Sequence, residues 1–497
     1  MSYVIGIDLG TSAVKAIAVN RAGEVVAEAS VSYPLYHERP GYSEQKPQDW
    51  VKGTIQAVNQ LIQEHQLPKE EVEGISFSGQ MHGLVLLNDE GEVLRNAILW
   101  NDTRTTPQCR LIEEKLGDRL LDIAKNKALE GFTLPKILWV KEHEPEIMEQ
   151  ASVFLLPKDY VRYQLTGDLA MDYSDAAGTL LLDVSAREWS AEIANAVDVP
   201  IGICPRLVDS HTQVGCLLPS IAEAMGLHEG VRVFAGGADN ACGAIGAGIV
   251  APGAAMCSIG TSGVVLAYEE DKQADYRGKV HYFNHGQEDA FYVMGVTLAA
   301  GYSLSWFKET FAPEMSFDAM LAGVDQVPAG SNGLLFTPYL VGERTPHADA
   351  NIRASFIGLD GSHTLKHTAR AVMEGITFSL RESIDILRQA GKNVQEVISI
   401  GGGAKNETWL QMQADIFNAD IVKLETEQGP AMGAAMLAAH GCGWFDSLQA
   451  CAKVFLRPAK RWTPNPETAA RYDAIFEVYQ DVYEATKGLN DRLVAFR

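Results

Sequence analysis

Residues 5–18 read IGIDLGTSAVKAIA, and residues 255–268 read AMCSIGTSGVVLAY. Each stretch holds G-T-S-x-V between two apolar runs, a pattern that predicts strand, tight turn, strand. Two further pairs follow in the same order. Residues 74–83, GISFSGQMHG, resemble 397–406, VISIGGGAKN, each a short apolar strand running into a glycine-containing turn. Residues 239–248, DNACGAIGAG, resemble 429–438, GPAMGAAMLA, each the start of a small-residue helix suited to close packing. Glycine turns between apolar runs are common, so one match is weak. Three in order point to a duplication.

A chain of 497 residues is too long for one ordinary core and favours two domains of roughly 200–250 residues. The expected fold is α/β, with duplicated domains at 1–250 and 251–497 around a central cleft. The boundary falls near Val250–Ala255, around Pro252 and Gly253. From Pro464 to Arg497 the spacing of Tyr472, Ile475, Phe476 and Tyr479 predicts a helix that packs back on a domain.

The net charge of −23 argues against nucleic acid and membranes as partners. An anionic substrate must then be held by local devices: backbone N–H groups, helix N-termini and a divalent cation. Seven cysteines at irregular spacing, with no CxxC pair, read as reduced and mostly buried thiols. The N-terminus enters a strand pattern at once and leaves no room for a signal peptide, so a cytoplasmic protein is expected. No charge lies between Asp239 and Glu269, long enough to span a bilayer. Pro252 and the glycines there predict a buried helix, a loop and a hairpin instead.

Several chemistries have no motif here. There is no G-x-x-x-x-G-K-[ST] loop and no G-x-S-x-G elbow. His363 and His367 could face one way on a helix, yet no third metal ligand is evident.

Four elements could carry chemistry. Gly10-Thr11-Ser12 and Gly260-Thr261-Ser262 can present backbone N–H groups and hydroxyls to phosphate oxygens. A plain hairpin turn is the bland reading of either one; related turns in both halves favour phosphate. Asp8 ends the first strand, where Ser258 stands in the duplicate. A carboxylate beside a phosphate loop calls for a cation between them, and Mg²⁺ is the obvious one. Asp239 opens a helix after the strand VRVFAGG. It would suit an N-cap, and it could equally take a proton from a substrate hydroxyl. In SGQMHG, Gln80 and His82 offer donors and acceptors to a polar ligand, while GGGAKN suits a flat base or ribose lying on backbone.

These elements resemble the FGGY carbohydrate kinases, which share a duplicated ribonuclease H-like fold with hexokinase, actin and the heat-shock ATPases. The resemblance runs through nearly the whole chain and takes in YSEQKPQDW at 42–50, LWNDTRT at 99–105, GFTLPKILW at 131–139, GERTPHAD at 342–349 and FIGLDGSHT at 356–364. It implies ATP-dependent phosphorylation with Mg²⁺. Within the family, SGQMHG followed by LWNDTRT is most similar to members acting on D-xylulose, which gives D-xylulose 5-phosphate. The resemblance implies Asp239 as catalytic base, Asp8 as the organiser of Mg·ATP, and Met81, His82 and Asn240 as sugar contacts. It implies Gly10, Thr11, Ser12, Gly260 and Thr261 at the phosphates, and Gly402, Gly403 and Asn406 at the adenosine. The family motif often reads GGGDN; Ala238 replaces its third glycine here.

Two alternatives stand beside this reading. One is a related kinase acting on gluconate, ribulose or another polyol. Gluconate should want an Arg or Lys in the pocket, which SGQMHG does not supply. The other is an actin-like ATPase with no sugar acceptor. Oligomeric state is left open, a homodimer being one outcome.

Overall fold

The computed structural model describes residues 2–497. In the first half, β1 (Tyr3–Leu9), β2 (Ala13–Asn20), β3 (Val25–Ser32), β4 (Val72–Gly79), β5 (Gln213–Cys216) and β6 (Arg232–Phe234) form one sheet, in the order β5-β6-β4-β1-β2-β3. The inner pairs β1/β4 and β4/β6 are parallel and the outer pairs antiparallel. The short strand Gly237–Ala238 extends β6 along Ser78 and Gly79 of β4.

The second half repeats the plan. β7 (Ala254–Ile259), β8 (Gly263–Glu269), β9 (His281–Asn284), β10 (Phe291–Thr297), β11 (Glu396–Gly401), β12 (Asp420–Leu424) and β13 (Pro458–Trp462) run in the order β9-β10-β8-β7-β11-β12-β13. Again β7/β11 and β11/β12 are parallel and the flanking pairs antiparallel. Apart from β9, each strand has its counterpart in the first sheet. The expected duplicated α/β fold is therefore the observed one. Central strands with both faces covered should be largely buried, and β1 and β4 are buried nearly end to end.

The third repeat joins the halves. Helices Asp239–Gly246 and Pro430–Gly441 each follow an inner parallel strand, and they cross each other. Contact is this close because both carry glycine at the crossing. A Cβ on Gly433 would overlap the Cys242 backbone, and one on Gly246 would overlap the Gly429 carbonyl. Pro430–Gly441 also lies on the first sheet, where Ala431 and Ala435 meet Gly6 of β1. Small side chains thus face another helix and a sheet at once.

The C-terminal helix, Pro466–Leu493, starts where Asn465 caps the amides of Glu467 and Thr468 at 3.0 and 3.1 Å, with proline at the first turn. Its buried residues Tyr472, Phe476 and Tyr479 pack on helix Leu365–Gln389 around Phe378, as the spacing predicts. The uncharged stretch after Asp239 is helix Asp239–Gly246, a loop, and the β7–β8 hairpin. No helix among the described residues is long and apolar enough to cross a membrane. The seven cysteines are free; four are buried, Cys204 and Cys442 are partly exposed, and Cys216 is exposed. His363 is not on a helix: it precedes Leu365–Gln389, and only His367 lies in its first turn, where it completes a capping box with Thr364.

Candidate active site

Four motifs meet at the end of β1. The Gln80 amide donates to the Leu9 carbonyl at 2.9 Å. The Gln80 side chain donates to Gln45 Oε1 at 3.0 Å, which also accepts from Trp50 Nε1 at 3.0 Å. Gln45 Nε2 donates to the Thr11 carbonyl at 2.7 Å, and Trp100 Nε1 to the Thr11 hydroxyl at 2.9 Å. Gln80 is 2% exposed. The expectation that it meets a ligand is corrected: a side chain so enclosed spends its polar atoms on tying SGQMHG to the first GTS turn. The Thr11 hydroxyl is occupied in the same way.

In the two GTS turns the glycine amides close the loop, Gly10 to Ala13 and Gly260 to Ser262, each at 3.0 Å. The amides of Thr11, Ser12, Thr261 and Ser262 have no intrachain partner among the described residues. These four N–H groups, rather than those of the glycines, are the ones free to meet phosphate.

Asp8 stands level with Ser78 on β4 and with Lys15 on β2. Burial raises its carboxyl pKa, against the influence of Ser78 and Lys15. Asp239 is the first residue of its helix; the N-cap position falls to Ala238, so Asp239 is not the cap. Its carboxylate accepts from the Asn240 amide at 2.7 Å. Burial first, and the Asp8 charge second, push the Asp239 carboxyl up to about 7. Neither carboxylate forms a salt bridge among the described residues. Two partly buried, mutually repelling carboxylates that form no ion pair, with Lys15 bearing on Asp8 only through its charge, fit a divalent cation held between protein and phosphate.

The other buried acidic group does not. Asp159, Asp172 and Asp175 lie close enough together to hold an ion, but Lys158 Nζ already fills the centre, at 2.7, 2.7 and 2.9 Å.

Beside Asp239, the residues Asn240, Met81 and His82 meet an aromatic cluster that includes Phe132 and Phe283. Asn240 Nδ2 reaches Met81 Sδ at 3.5 Å, and Met81 is buried. His82 has φ of 72°, a backbone conformation that non-glycine residues rarely adopt and that surrounding contacts must hold. Those contacts come from GFTLPKILW. Thr133 Oγ1 and Lys136 Nζ each donate to the His82 carbonyl at 3.0 Å, and Phe132 lies 4.7 Å from the imidazole centroid. His82 Nδ1 donates to the Gly178 carbonyl at 2.6 Å. That bond assigns the proton to Nδ1 and leaves Nε2 as an acceptor. Burial, then the Lys136 charge, lowers the His82 pKa to about 3, so the ring stays neutral.

Met81, His82, Asp239 and Asn240 are therefore brought together. Gly260, Thr261, Gly402, Gly403 and Asn406 form a second group around a cavity of about 450 Å³, with Tyr302 and Trp409 on its walls. Helix Gly301–Phe311 begins against the second GTS turn, its Gly301 and Tyr302 amides donating to Gly260 and Thr261 at 2.8 and 3.1 Å. Asn406 caps helix Glu407–Phe417 through the Trp409 amide at 2.9 Å, which leaves its side-chain N–H₂ free. Gly10, Thr11 and Ser12 belong to the first group's side, beside Asp8.

Some neighbours were not read from sequence. Tyr292, wholly buried on β10, brings its hydroxyl to 3.9 Å from Met81 Sδ. Arg344, from GERTPHAD, bears on both His82 and His281 electrostatically and depresses both. Arg344 thus supplies cationic charge beside His82, whereas Lys136, lowered to about 7 by burial, is spent on the His82 and Gly131 carbonyls. The absence of a cation within SGQMHG is no argument against an acidic acceptor.

The N-terminal domain of the FGGY family of carbohydrate kinases matches residues 3–246, and its C-terminal domain matches residues 255–442. The chain belongs to the FGGY family of carbohydrate kinases. A xylulose kinase of Bacillus subtilis is 62% identical over 497 residues, covering all of both chains. Among solved structures, a xylulose kinase from Lactobacillus acidophilus superposes with a TM-score of 0.94 at 26% identity, over 99% of this chain and 100% of the other. A gluconate kinase from the same organism gives 0.93 at 27% identity, over 98% of each chain. FGGY kinases with different acceptors therefore share this scaffold almost equally. Fold alone does not select the sugar.

Proposed function

We propose that this FGGY kinase transfers the γ-phosphoryl group of ATP to D-xylulose, giving ADP and D-xylulose 5-phosphate, with Asp239 as general base. One observation carries the reading. A carboxylate without an ion-pair partner, its pKa raised to about 7 by burial and Asp8, opens a helix beside Asn240, Met81 and His82. The full-length likeness to a xylulose kinase supports the choice of acceptor.

In this reading the ketose lies against Met81, with hydroxyls donating to His82 Nε2 and accepting from Asn240. Asp239 accepts the proton of the attacking hydroxyl as its oxygen meets the γ-phosphorus. The adenosine occupies the cavity at Gly402, Gly403 and Asn406, and the free amides of the two GTS turns hold phosphate oxygens. Mg²⁺, held near Asp8, would neutralise charge on the phosphates. The division of labour follows the division at 250/251, acceptor on the first domain and nucleotide on the second. Closure of the two would exclude water from the transfer. ATP as donor suits a cytoplasmic setting, and the reading needs no partner subunit.

A coupled ADP-release assay over D-xylulose, D-ribulose, gluconate and glycerol, with and without Mg²⁺, tests it. D-Xylulose should give the highest kcat/KM, and only with the metal. A higher value for gluconate would favour a second reading, in which Arg344 serves a carboxylate.

A further inference from the structure

The Gly236–Asp239 turn is pinned from below. The Gly236 amide donates to the Ser210 carbonyl at 2.9 Å, and the Ala238 amide donates to Ser174 Oγ at 2.9 Å. Gly236 has φ of +78°, and a Cβ there would overlap the Phe77 carbonyl, so the turn has no slack on its other side. Ser174 Oγ in turn donates to Asp172, as does Ser210 Oγ at 2.8 Å. Asp172 takes Lys158 Nζ at 2.7 Å on its other oxygen. All of these side chains are buried.

Asp172 also caps the short helix Tyr173–Ala177, and Gly178, the residue after that helix, supplies the carbonyl that fixes the His82 imidazole. One segment of seven residues, Asp172–Gly178, therefore holds the catalytic turn at one end and the acceptor-side histidine at the other. A buried cluster of charges contributes little to stability for its desolvation cost, and an apolar core of the same volume would serve as well. What apolar groups cannot do is accept the Ala238 N–H and set its direction.

We infer that Asp172 and Ser174 are positioning residues: with Lys158 they fix the peptide that carries Asp239, in register with His82. The inference rests on Asp239 as the base. Misplacing a catalytic group by about 1 Å costs on the order of 10²-fold in rate, whereas acceptor binding depends on Met81, His82 and Asn240, which Ser174 does not touch.

The test is steady-state kinetics on Ser174→Ala, Ser174→Thr and Asp239→Asn, with D-xylulose and ATP varied in turn. Ser174→Ala should lower kcat by roughly 10–100-fold with both KM values near those of the parent, and Ser174→Thr, which keeps the hydroxyl, should recover most of it. A parental kcat in Ser174→Ala overturns the positioning role. So does equal loss in both serine variants in step with their thermal midpoints. If Ser174→Ala does not fold, Ser210→Ala, which removes one donor to the same carboxylate, should show the same split of kcat from KM. Asp239→Asn separates the two ideas. An inactive Asp239→Asn beside a fully active Ser174→Ala sinks the positioning role alone, whereas an active Asp239→Asn removes the base on which it rests.

Discussion

The imidazole of His82 is bonded through Nδ1 to the carbonyl of Gly178 at 2.6 Å. The two residues are far apart in sequence, and the bond decides which ring nitrogen carries the proton. With the proton on Nδ1 and a pKa lowered to about 3, Nε2 is an acceptor at every assay pH. His82→Ala should raise the D-xylulose KM by roughly 10–100-fold, the loss of one or two hydrogen bonds. The ATP KM should hold, and the parent's sugar KM should be flat between pH 6 and 9. Initial rates with each substrate varied in turn check this; a shift confined to the ATP KM would reverse the assignment of the two pockets.

In the proposed role, Asp239 can accept a proton only when ionised. Its pKa of about 7 lies above the ordinary carboxylate value, so the active fraction grows as pH rises. For the free enzyme, kcat/KM should climb about tenfold per pH unit on the acid side and level off above an inflection near 7. Asp239→Asn should lose roughly 10²–10⁴-fold in kcat while ATP affinity, measured by titration calorimetry, is retained.

Asp8 contributes to that inflection by charge. Removing the charge in Asp8→Asn relieves the repulsion, so the acid inflection of whatever activity remains should move to lower pH. If Asp8 holds the cation as proposed, the same change removes a ligand, and the Mg²⁺ concentration for half-maximal rate should rise. A magnesium titration and a pH profile on one variant read both effects; an unchanged magnesium midpoint would leave Asp8 without a metal role.

Asn406 has two jobs that substitution can part. Its side-chain oxygen caps helix Glu407–Phe417, and its N–H₂ is free toward the cavity. Asn406→Asp keeps the cap and should leave the thermal midpoint near the parent's while raising the ATP KM. Asn406→Ala should raise the KM as well and cost about 0.5–2 kcal/mol of stability by denaturant unfolding.

The crossing of helices Asp239–Gly246 and Pro430–Gly441 leaves no space at Gly433. Gly433→Ala should destabilise the protein by about 1–3 kcal/mol in urea unfolding. It should lower activity too, because the crossing seats the helix that Asp239 opens.

The repeats, and with them the two-sheet plan, were legible because strand and turn signals are local. Periodicity and glycine position do not depend on the rest of the chain. The same holds for the C-terminal helix. Gln80 was misread because its sequence neighbours are turn residues. Only the folded structure shows its side chain engaged with Gln45 and Thr11. Arg344 and Tyr292 could not be placed beside Met81 and His82 from the sequence, since β10 and GERTPHAD reach that pocket only after the halves fold together.

What the sequence by itself determined is the duplicated α/β scaffold and the identity of the groups able to do chemistry, two aspartates, two GTS turns and a histidine turn, because these depend on residue type and short spacing. What the tertiary structure decided is their state. Asp239 reaches a pKa of about 7, His82 is held neutral with its proton on Nδ1, and a wholly buried chain from Lys158 through Asp172 and Ser174 stands beneath the turn that carries Asp239. The physical reason is that charge, tautomer and orientation are set by desolvation and by partners distant in sequence. Those partners exist only once the core has closed around them.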